Sequence, residues 1–101
     1  LKSAPTAIFA SNDEMAAGVM TAAMKRNLIV PDDISVAGFD DSPTEMIWPQ
    51  LTTVRQPIDE MSKIAIYMLV SQLRDREVAS RETKVEYQLI VRDSTSSLKQ
   101  S

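Results

Sequence analysis

The sequence predicts an α/β fold built around a parallel β-sheet. Two short apolar runs, Thr6–Ala10 and Ile34–Phe39, each end in acidic or amide residues, and an Ala- and Met-rich segment lies between them. Short continuous apolar runs are typical of strands buried on both faces, whereas Ala and Met favour helix. The order strand, helix, strand therefore predicts a βαβ unit with two parallel strands.

The first helix is expected over about 14–26. Ser11, followed three residues later by Glu, fits a capping box, although Asn12 or Asp13 could equally be the N-cap residue. Asn27 stands where the chain leaves the helix in a left-handed conformation, which Asn tolerates better than most residues other than Gly.

The second half of the chain predicts a loop, a helix and a last strand. The segment 42–57 contains three prolines and the only tryptophan, and Leu51–Val54 within it could form a short strand. From residue 58 to residue 76, apolar side chains recur at the spacing of one helix face. From residue 83 to residue 92, apolar and polar residues alternate, which predicts a half-buried strand. Its apolar positions are Val85, Tyr87, Leu89 and Val91.

Composition restricts the possible chemistry. The 101 residues include no Cys, no His and only two Gly, which excludes disulfides, thiolate or imidazole metal sites, the common catalytic triads and Gly-rich phosphate loops. A net charge of −3 argues against this chain itself lying along a phosphate backbone. We expect no catalytic activity, no cofactor and no catalytic metal.

The sequence shows no membrane span, because no apolar run approaches about 18 residues. The first residues lack the basic and apolar regions of a signal peptide, and no Met opens the chain. We expect a piece of a longer protein.

Polar side chains follow both predicted strands, with Asn12 and Asp13 after the first and Asp40 and Asp41 after the second. Ligands of open parallel sheets bind at the carboxyl ends of the strands. The Asp40 carboxylate could accept hydrogen bonds from hydroxyls, hold Mg²⁺ or act as a nucleophile, and the Asn12 amide suits a sugar or nucleoside. Gln56 is a candidate third group. The alternative is that these residues form only a turn, a helix cap and a solvated side chain.

The first helix carries two apolar stripes. If one stripe faces the sheet, the sheet cannot also cover the other. Together with an apolar loop, this uncovered stripe forms a candidate dimer interface, or else both pack inside a larger domain. The residues are Ala17, Met20, Thr21, Met24, Ile47 and Trp48.

Four blocks resemble one known family. AIFASNDEMAAGVMTAA, VPDDISVAGFDDSP, PQLTTVRQP and YQLIVRDST are similar, in order and spacing, to the C-terminal third of LacI/GalR-type (lactose-repressor-like) transcription regulators. The resemblance covers nearly the whole chain. It implies a fragment of a two-lobed periplasmic-binding-protein-like (type I) domain with a small effector between the lobes.

The resemblance also implies roles for residues and segments. Asn12, Asp40 and Gln56 would contact the effector, a sugar or nucleobase-like molecule. Residues 1–56 would belong to the C-terminal lobe and 58–82 to a helix of the N-terminal lobe, with 83–95 as the returning strand. The implied protein is a cytoplasmic homodimer that has no membrane association and contacts operator DNA only through an N-terminal domain absent here.

Two alternatives stand beside this interpretation. A periplasmic sugar receptor of the same fold would need a signal peptide in the complete gene. An Asp40-dependent phosphotransfer enzyme would need a second carboxylate two residues later, where Ser42 stands.

Overall fold

The computed structural model describes residues 5–42, 47–74 and 83–98. The chain divides into two compact units, of which the first comprises Leu1–Arg55 with Gln88–Ser101 and the second comprises Gln56–Tyr87. The described elements follow the order strand, helix, strand, strand, helix, strand. This arrangement confirms the predicted α/β class.

The first unit contains the predicted βαβ unit. Strands β1 (Ala7–Phe9) and β2 (Ser35–Ala37) pair in parallel, and helix α1 (Asp13–Lys25) connects them. A parallel bridge between Ala37 and Thr52 places the next chain segment on the other side of β2. Polar residues that follow β1 and β2 therefore lie at one edge of the sheet.

The C-terminus of α1 ends as its sequence predicts. Asn27 has a φ of 59°, in the left-handed region. Its N–H donates to the carbonyl of Met24 at 3.1 Å, and the N–H of Leu28 donates to the carbonyl of Ala23 at 2.9 Å. This pair of bonds is a Schellman motif, which satisfies two of the carbonyls that the last helical turn leaves open.

The core of the first unit lies between α1 and the sheet, and it corrects one prediction. Ala16, Met20 and Ala23 are buried, and the Met20 side chain is only 7% exposed. Positions i, i+4 and i+7 share one helix face, and this face meets the sheet. The prediction that Met20 lies on an uncovered stripe is therefore wrong. The buried cluster consists of Ala10, Ala16, Met20, Val36 and Leu51.

The first strand is shorter and more exposed than predicted. β1 has three residues, and its Phe9 is 69% exposed. Among the described residues β1 pairs with β2 alone, so one of its edges has no neighbouring strand. The prediction of a strand buried on both faces is wrong for β1, whereas β2 buries Val36 fully.

The last strand also differs from its prediction. β3 (Thr53–Arg55) and β4 (Gln88–Ile90) form an antiparallel pair. The expected strand over 83–92 is thus reduced to three residues. Its apolar positions Tyr87, Leu89 and Val91 are exposed, so alternation did identify a strand but not a half-buried one. A side chain is buried only where another element packs on its face, and alternation in the sequence does not supply that element.

The second unit consists mainly of helix α2 (Ile58–Leu73). Pro57 is its N-cap and supplies no side-chain bond, while Asp59 and Glu60 place negative charge in the first turn, where the helix dipole favours it. Ser71 is the only buried residue of α2, and its large apolar side chains are mostly exposed. The predicted extension to Arg76 lies outside the described residues. Over the described ranges, no helix is long and apolar enough to cross a membrane.

Candidate functional site

Asn12 follows β1 and caps α1. Its Oδ1 accepts a hydrogen bond from the Met15 N–H at 2.8 Å, which identifies Asn12, rather than Ser11 or Asp13, as the N-cap residue. The bond satisfies one open donor of the first turn. An amide in this role still offers two N–H donors and a second oxygen lone pair, so capping is compatible with ligand contact.

Asp13 joins the ends of β1 and β2. The residue is fully buried, and its Oδ1 accepts from the Thr53 hydroxyl at 2.6 Å while its Oδ2 accepts from the Ser42 N–H at 2.7 Å. Its own N–H donates to the carbonyl of Phe39 at 3.0 Å. These bonds bring together the two polar segments that the sequence predicted at one edge of the sheet.

Gly38 allows this close approach. A Cβ atom added at Gly38 would collide with Asp13 Oδ1 and would lie 3.0 Å from Leu51 Cδ2. The backbone of the segment after β2 can therefore reach the buried carboxylate only if this residue has no side chain.

The turn after Gly38 has an unusual backbone. Asp40 has a φ of 110° and Asp41 a φ of 55°, although neither is glycine. The Asp40 N–H donates to the carbonyl of Val54 at 2.9 Å, and the Asp41 N–H donates to the Thr53 hydroxyl at 3.3 Å. Asp40 is exposed and Asp41 is half-buried. Asp tolerates the left-handed φ of Asp41, but a φ as large as that of Asp40 persists only where surrounding contacts impose it, and residues of this kind concentrate at ligand sites.

Asp41 forms ion pairs with two arginines. Its Oδ2 lies 2.7 Å from Arg55 Nε and its Oδ1 lies 2.8 Å from Arg92 Nη2. Arg92 also donates from Nη1 to the carbonyl of Leu51 at 2.9 Å. The hydrogen bond from Arg55 lowers the pKa of Asp41, and Arg92 lowers it further, against partial burial, which raises it. Neither arginine was predicted from the sequence.

A second network attaches the C-terminal segment to the sheet. Ser94 is fully buried, and its Oγ accepts from the Thr52 N–H at 2.8 Å and donates to the carbonyl of Val36 at 2.6 Å. The Val36 N–H donates back to the carbonyl of Ser94 at 2.9 Å. Sequence reasoning missed Ser94 as well, because its partners lie 42 and 58 residues away.

The other residues predicted to contact the effector or the dimer partner differ in their burial and contacts. Gln56 is half-buried and begins the second unit. The Thr21 hydroxyl donates to the carbonyl of Ala17 within α1 at 3.1 Å. Met24 and Trp48 are 70% and 78% exposed, whereas Ile47 packs against the core. An exposed apolar surface thus exists at Met24 and at Trp48.

No group of three or more His, Cys, Asp or Glu side chains is arranged to hold a metal ion within 5–42, 47–74 and 83–98. The acidic residues at the sheet edge instead have hydrogen-bond donors and arginines as partners, as Asp13 and Asp41 show.

Comparison with known proteins identifies the family. A sequence model of the periplasmic binding protein-like domain matches residues 1–95, and the chain belongs to this family. The chain is 41% identical over 95 residues to the probable HTH-type transcriptional repressor ExuR of Bacillus subtilis (strain 168), an alignment that covers 93% of this chain and 28% of that protein. The chain thus spans less than a third of the length of the curated relatives it matches.

Several solved structures with the same fold are LacI-type regulators. One is a periplasmic binding protein/LacI transcriptional regulator from Alkaliphilus metalliredigens QYMF complexed with D-xylulofuranose, with a TM-score of 0.82 and 35% identity over 91% of this chain and 35% of that chain. Another is a LacI family transcriptional regulator from Enterococcus faecium with bound ribose, with a TM-score of 0.82 and 34% identity over 96% of this chain and 36% of that chain. The predicted resemblance and fold are therefore confirmed.

Proposed function

We propose that this chain is the C-terminal part of the effector-binding and dimerisation domain of a LacI-type transcriptional regulator. One observation carries the proposal. Asn12 and Asp40 follow neighbouring parallel strands, and the Asp13 bonds to Phe39 and Ser42 hold these two strand ends together. Ligands of open α/β sheets bind at this edge.

The proposed effector is a sugar. The Asp40 carboxylate accepts charge-assisted hydrogen bonds from sugar hydroxyls, and the Asn12 amide donates to the hydroxyl oxygens. Gln56 is the proposed third contact. The bound D-xylulofuranose and ribose in the two related structures support a sugar over a nucleobase-like effector.

The proposed mechanism is a shift between two arrangements of two lobes. Residues 1–56 are assigned to the C-terminal lobe, 58–82 to an N-terminal-lobe helix and 83–95 to the returning strand. An effector that binds one arrangement more tightly increases its population, and in a dimer this change alters the spacing of two DNA-binding domains. We further propose that the protein is cytoplasmic, that it contacts DNA outside this chain and that this chain catalyses no reaction.

The effector site can be tested in the full-length protein by titration calorimetry with D-ribose and D-xylulose. We expect Asp40→Ala to weaken binding of the sugar that the wild type binds by more than about 1.5 kcal/mol, because a hydrogen bond to a charged group contributes about 1.5–3 kcal/mol. Asn12→Asp keeps an oxygen to cap α1 but removes the amide donors, and it is expected to weaken binding less.

Asp32→Ala is the matched control, because it removes an exposed carboxylate ahead of β2, at the opposite end of the strand from Asp40. Sugar binding should be unchanged in this variant. Equal affinity of Asp40→Ala and the wild type would contradict the assignment of Asp40. A wild-type protein that binds neither sugar would contradict the proposed effector class.

A further inference from the structure

The strained turn at the proposed effector site requires an explanation. Two consecutive residues other than glycine, Asp40 and Asp41, have positive φ values of 110° and 55°. Such conformations are unfavourable, and they persist only where surrounding contacts compensate the strain. The N–H groups of Asp40 and Asp41 donate to Val54 and Thr53. Asp13 holds the two ends of the turn through its bonds to the Phe39 carbonyl and the Ser42 N–H. The Asp41 side chain adds two ion pairs to these contacts.

We propose that Asp41 is the positioning residue of the effector site, and that its ion pairs with Arg55 and Arg92 fix the turn that presents the Asp40 carboxylate. This inference rests on the proposed function, since it assigns a role to the neighbour of the effector-binding residue. Both Asp41 oxygens are engaged, each by a different arginine, so the side chain cannot rotate without breaking one pair.

The two arginines extend the constraint to both strands of the antiparallel pair. Arg55 is the last residue of β3, and Arg92 follows β4 by two residues. The chain leaves the first unit after Arg55 and re-enters it at Gln88. A single carboxylate therefore links the turn that carries Asp40 to both segments through which the chain leaves and re-enters this unit.

Arg92 is the less exposed and more firmly held of the two partners. Its side chain is 26% exposed and is also held by the Leu51 carbonyl, whereas the Arg55 side chain is 50% exposed. Exposed ion pairs are weakened by solvent and by side-chain freedom, and less exposed pairs with a second hydrogen bond are weakened less. The proposal therefore ranks Asp41→Asn as the most disruptive change, followed by Arg92→Lys and then Arg55→Lys.

Asp41→Asn is the informative variant because Asn tolerates a left-handed backbone about as well as Asp does. The substitution removes the charge without adding backbone strain. In the full-length protein, hydrogen exchange is measured on peptides that cover 38–42 and, as an internal reference, 5–10. We expect Asp41→Asn to accelerate exchange over 38–42 by about tenfold or more while 5–10 is unchanged, because only the turn opens. Asp32→Asn is the control for the loss of one negative charge.

A second measurement separates positioning from simple stabilisation. D-ribose and D-xylulose are titrated into wild type, Asp40→Ala, Asp41→Asn and the double variant. If Asp41 acts through Asp40, Asp41→Asn weakens binding, yet the double variant binds no more weakly than Asp40→Ala alone. Additive losses, or unchanged exchange over 38–42 in Asp41→Asn, would overturn the proposal. If wild type binds neither sugar, the proposed effector class fails, and the exchange result alone decides whether Asp41 fixes the turn.

Discussion

At the residue scale, Asp40 combines an exposed carboxylate with a strained backbone. The φ of 110° is costly for any residue with a Cβ atom. Natural proteins retain such residues where function requires the side chain in that place, and they lose stability as a result. Asp40 therefore offers a way to separate the contribution of its side chain to binding from the cost of its backbone to folding.

The comparison of Asp40→Gly with Asp40→Ala measures that backbone cost. Both variants lack the carboxylate, so they differ only in the Cβ atom. We expect the Gly variant of the full-length protein to be more stable by about 1 kcal/mol, because relief of the strain exceeds the extra chain entropy of glycine. Urea unfolding measures the difference. An Ala variant of equal or greater stability would show that the turn is not strained.

Asp41 predicts a dependence of stability on pH. The arginines hold its folded-state pKa below the ordinary value, which is about 3.9 for an unfolded chain. The ion pairs therefore stabilise the fold fully above about pH 4, and this contribution is lost as pH falls through the lower folded-state pKa. The stability difference between wild type and Asp41→Asn is expected to be largest near neutral pH and to disappear in acid.

Urea midpoints of the two proteins, measured from neutral to acid pH, test this expectation. Asp32→Asn again serves as the control, since it changes the net charge equally without removing the pairs to Arg55 and Arg92. A wild-type to Asp41→Asn difference that stays constant with pH would show that the charge of Asp41 does not stabilise the fold.

At the scale of elements, Ser94 connects three segments. Its hydroxyl bonds both the carbonyl of Val36 in β2 and the N–H of Thr52, which bridges to β2. Ser94→Ala would leave a buried backbone donor without its partner, and it would also remove a bond from a buried carbonyl. Each unsatisfied buried group costs about 1–3 kcal/mol. We expect a loss of about 2–4 kcal/mol in unfolding free energy, measured by urea unfolding of the full-length protein.

Ser97→Ala is a suitable comparison, because Ser97 is exposed three residues further along the same segment. Its loss should be within about 0.5 kcal/mol, as for most surface changes. Equal effects of the two substitutions would show that the Ser94 bonds are not individually important.

The helices and the βαβ unit were predictable because their signals are local. Apolar runs, a helix start within Ser11–Asp13 and the Asn27 end of α1 each depend on a few adjacent residues, although the sequence did not decide which of the three residues is the N-cap. The burial of Met20 was not predictable in this way. Met20 lies four residues after the buried Ala16 and four before the exposed Met24, so its spacing fits both the face toward the sheet and the predicted uncovered stripe. Packing against the sheet decides between the two.

The candidate site was predictable only in part. Parallel strands place Asn12 and Asp40 at one edge, which followed from strand order alone. The ion pair between Asp41 and Arg92 joins residues 51 apart, and the bond between Thr53 and Asp13 joins residues 40 apart. No local pattern indicates such pairs, since the fold determines which strands become neighbours. The arginines were therefore visible in the sequence only as charges near strand ends.

At the scale of the whole molecule, the chain exposes large apolar side chains and also covers only part of the length of its relatives. Phe9 on β1 and Leu73 on α2 are large apolar side chains that the described residues leave exposed. Burial of such side chains stabilises a fold by about 1.5–3 kcal/mol each, and the chain spans 28% of its relative ExuR. A chain that covers so small a part of its relatives is expected to expose apolar surfaces that become buried only in a full-length protein.

The dimer prediction belongs to this scale, and the structure changes how it is tested. Met20 is in the core, so a charge there would disrupt folding and could not report on association. Met24 and Trp48 remain suitable, because their side chains are mostly exposed. Aromatic and Met side chains are enriched in interface centres, and a two-fold dimer uses the same patch on both subunits.

We expect the full-length protein to sediment as a homodimer and the double variant Met24→Glu with Trp48→Glu to sediment as a monomer. Burying two carboxylates per subunit without partners costs more than a side-chain truncation would. Met15→Glu is the matched control, because Met15 is an exposed methionine of the same helix outside the predicted set. The Met15→Glu variant should still sediment as a dimer. A double variant that sediments like wild type would exclude this surface, and a monomeric Met15→Glu protein would place the contact on another side of α1.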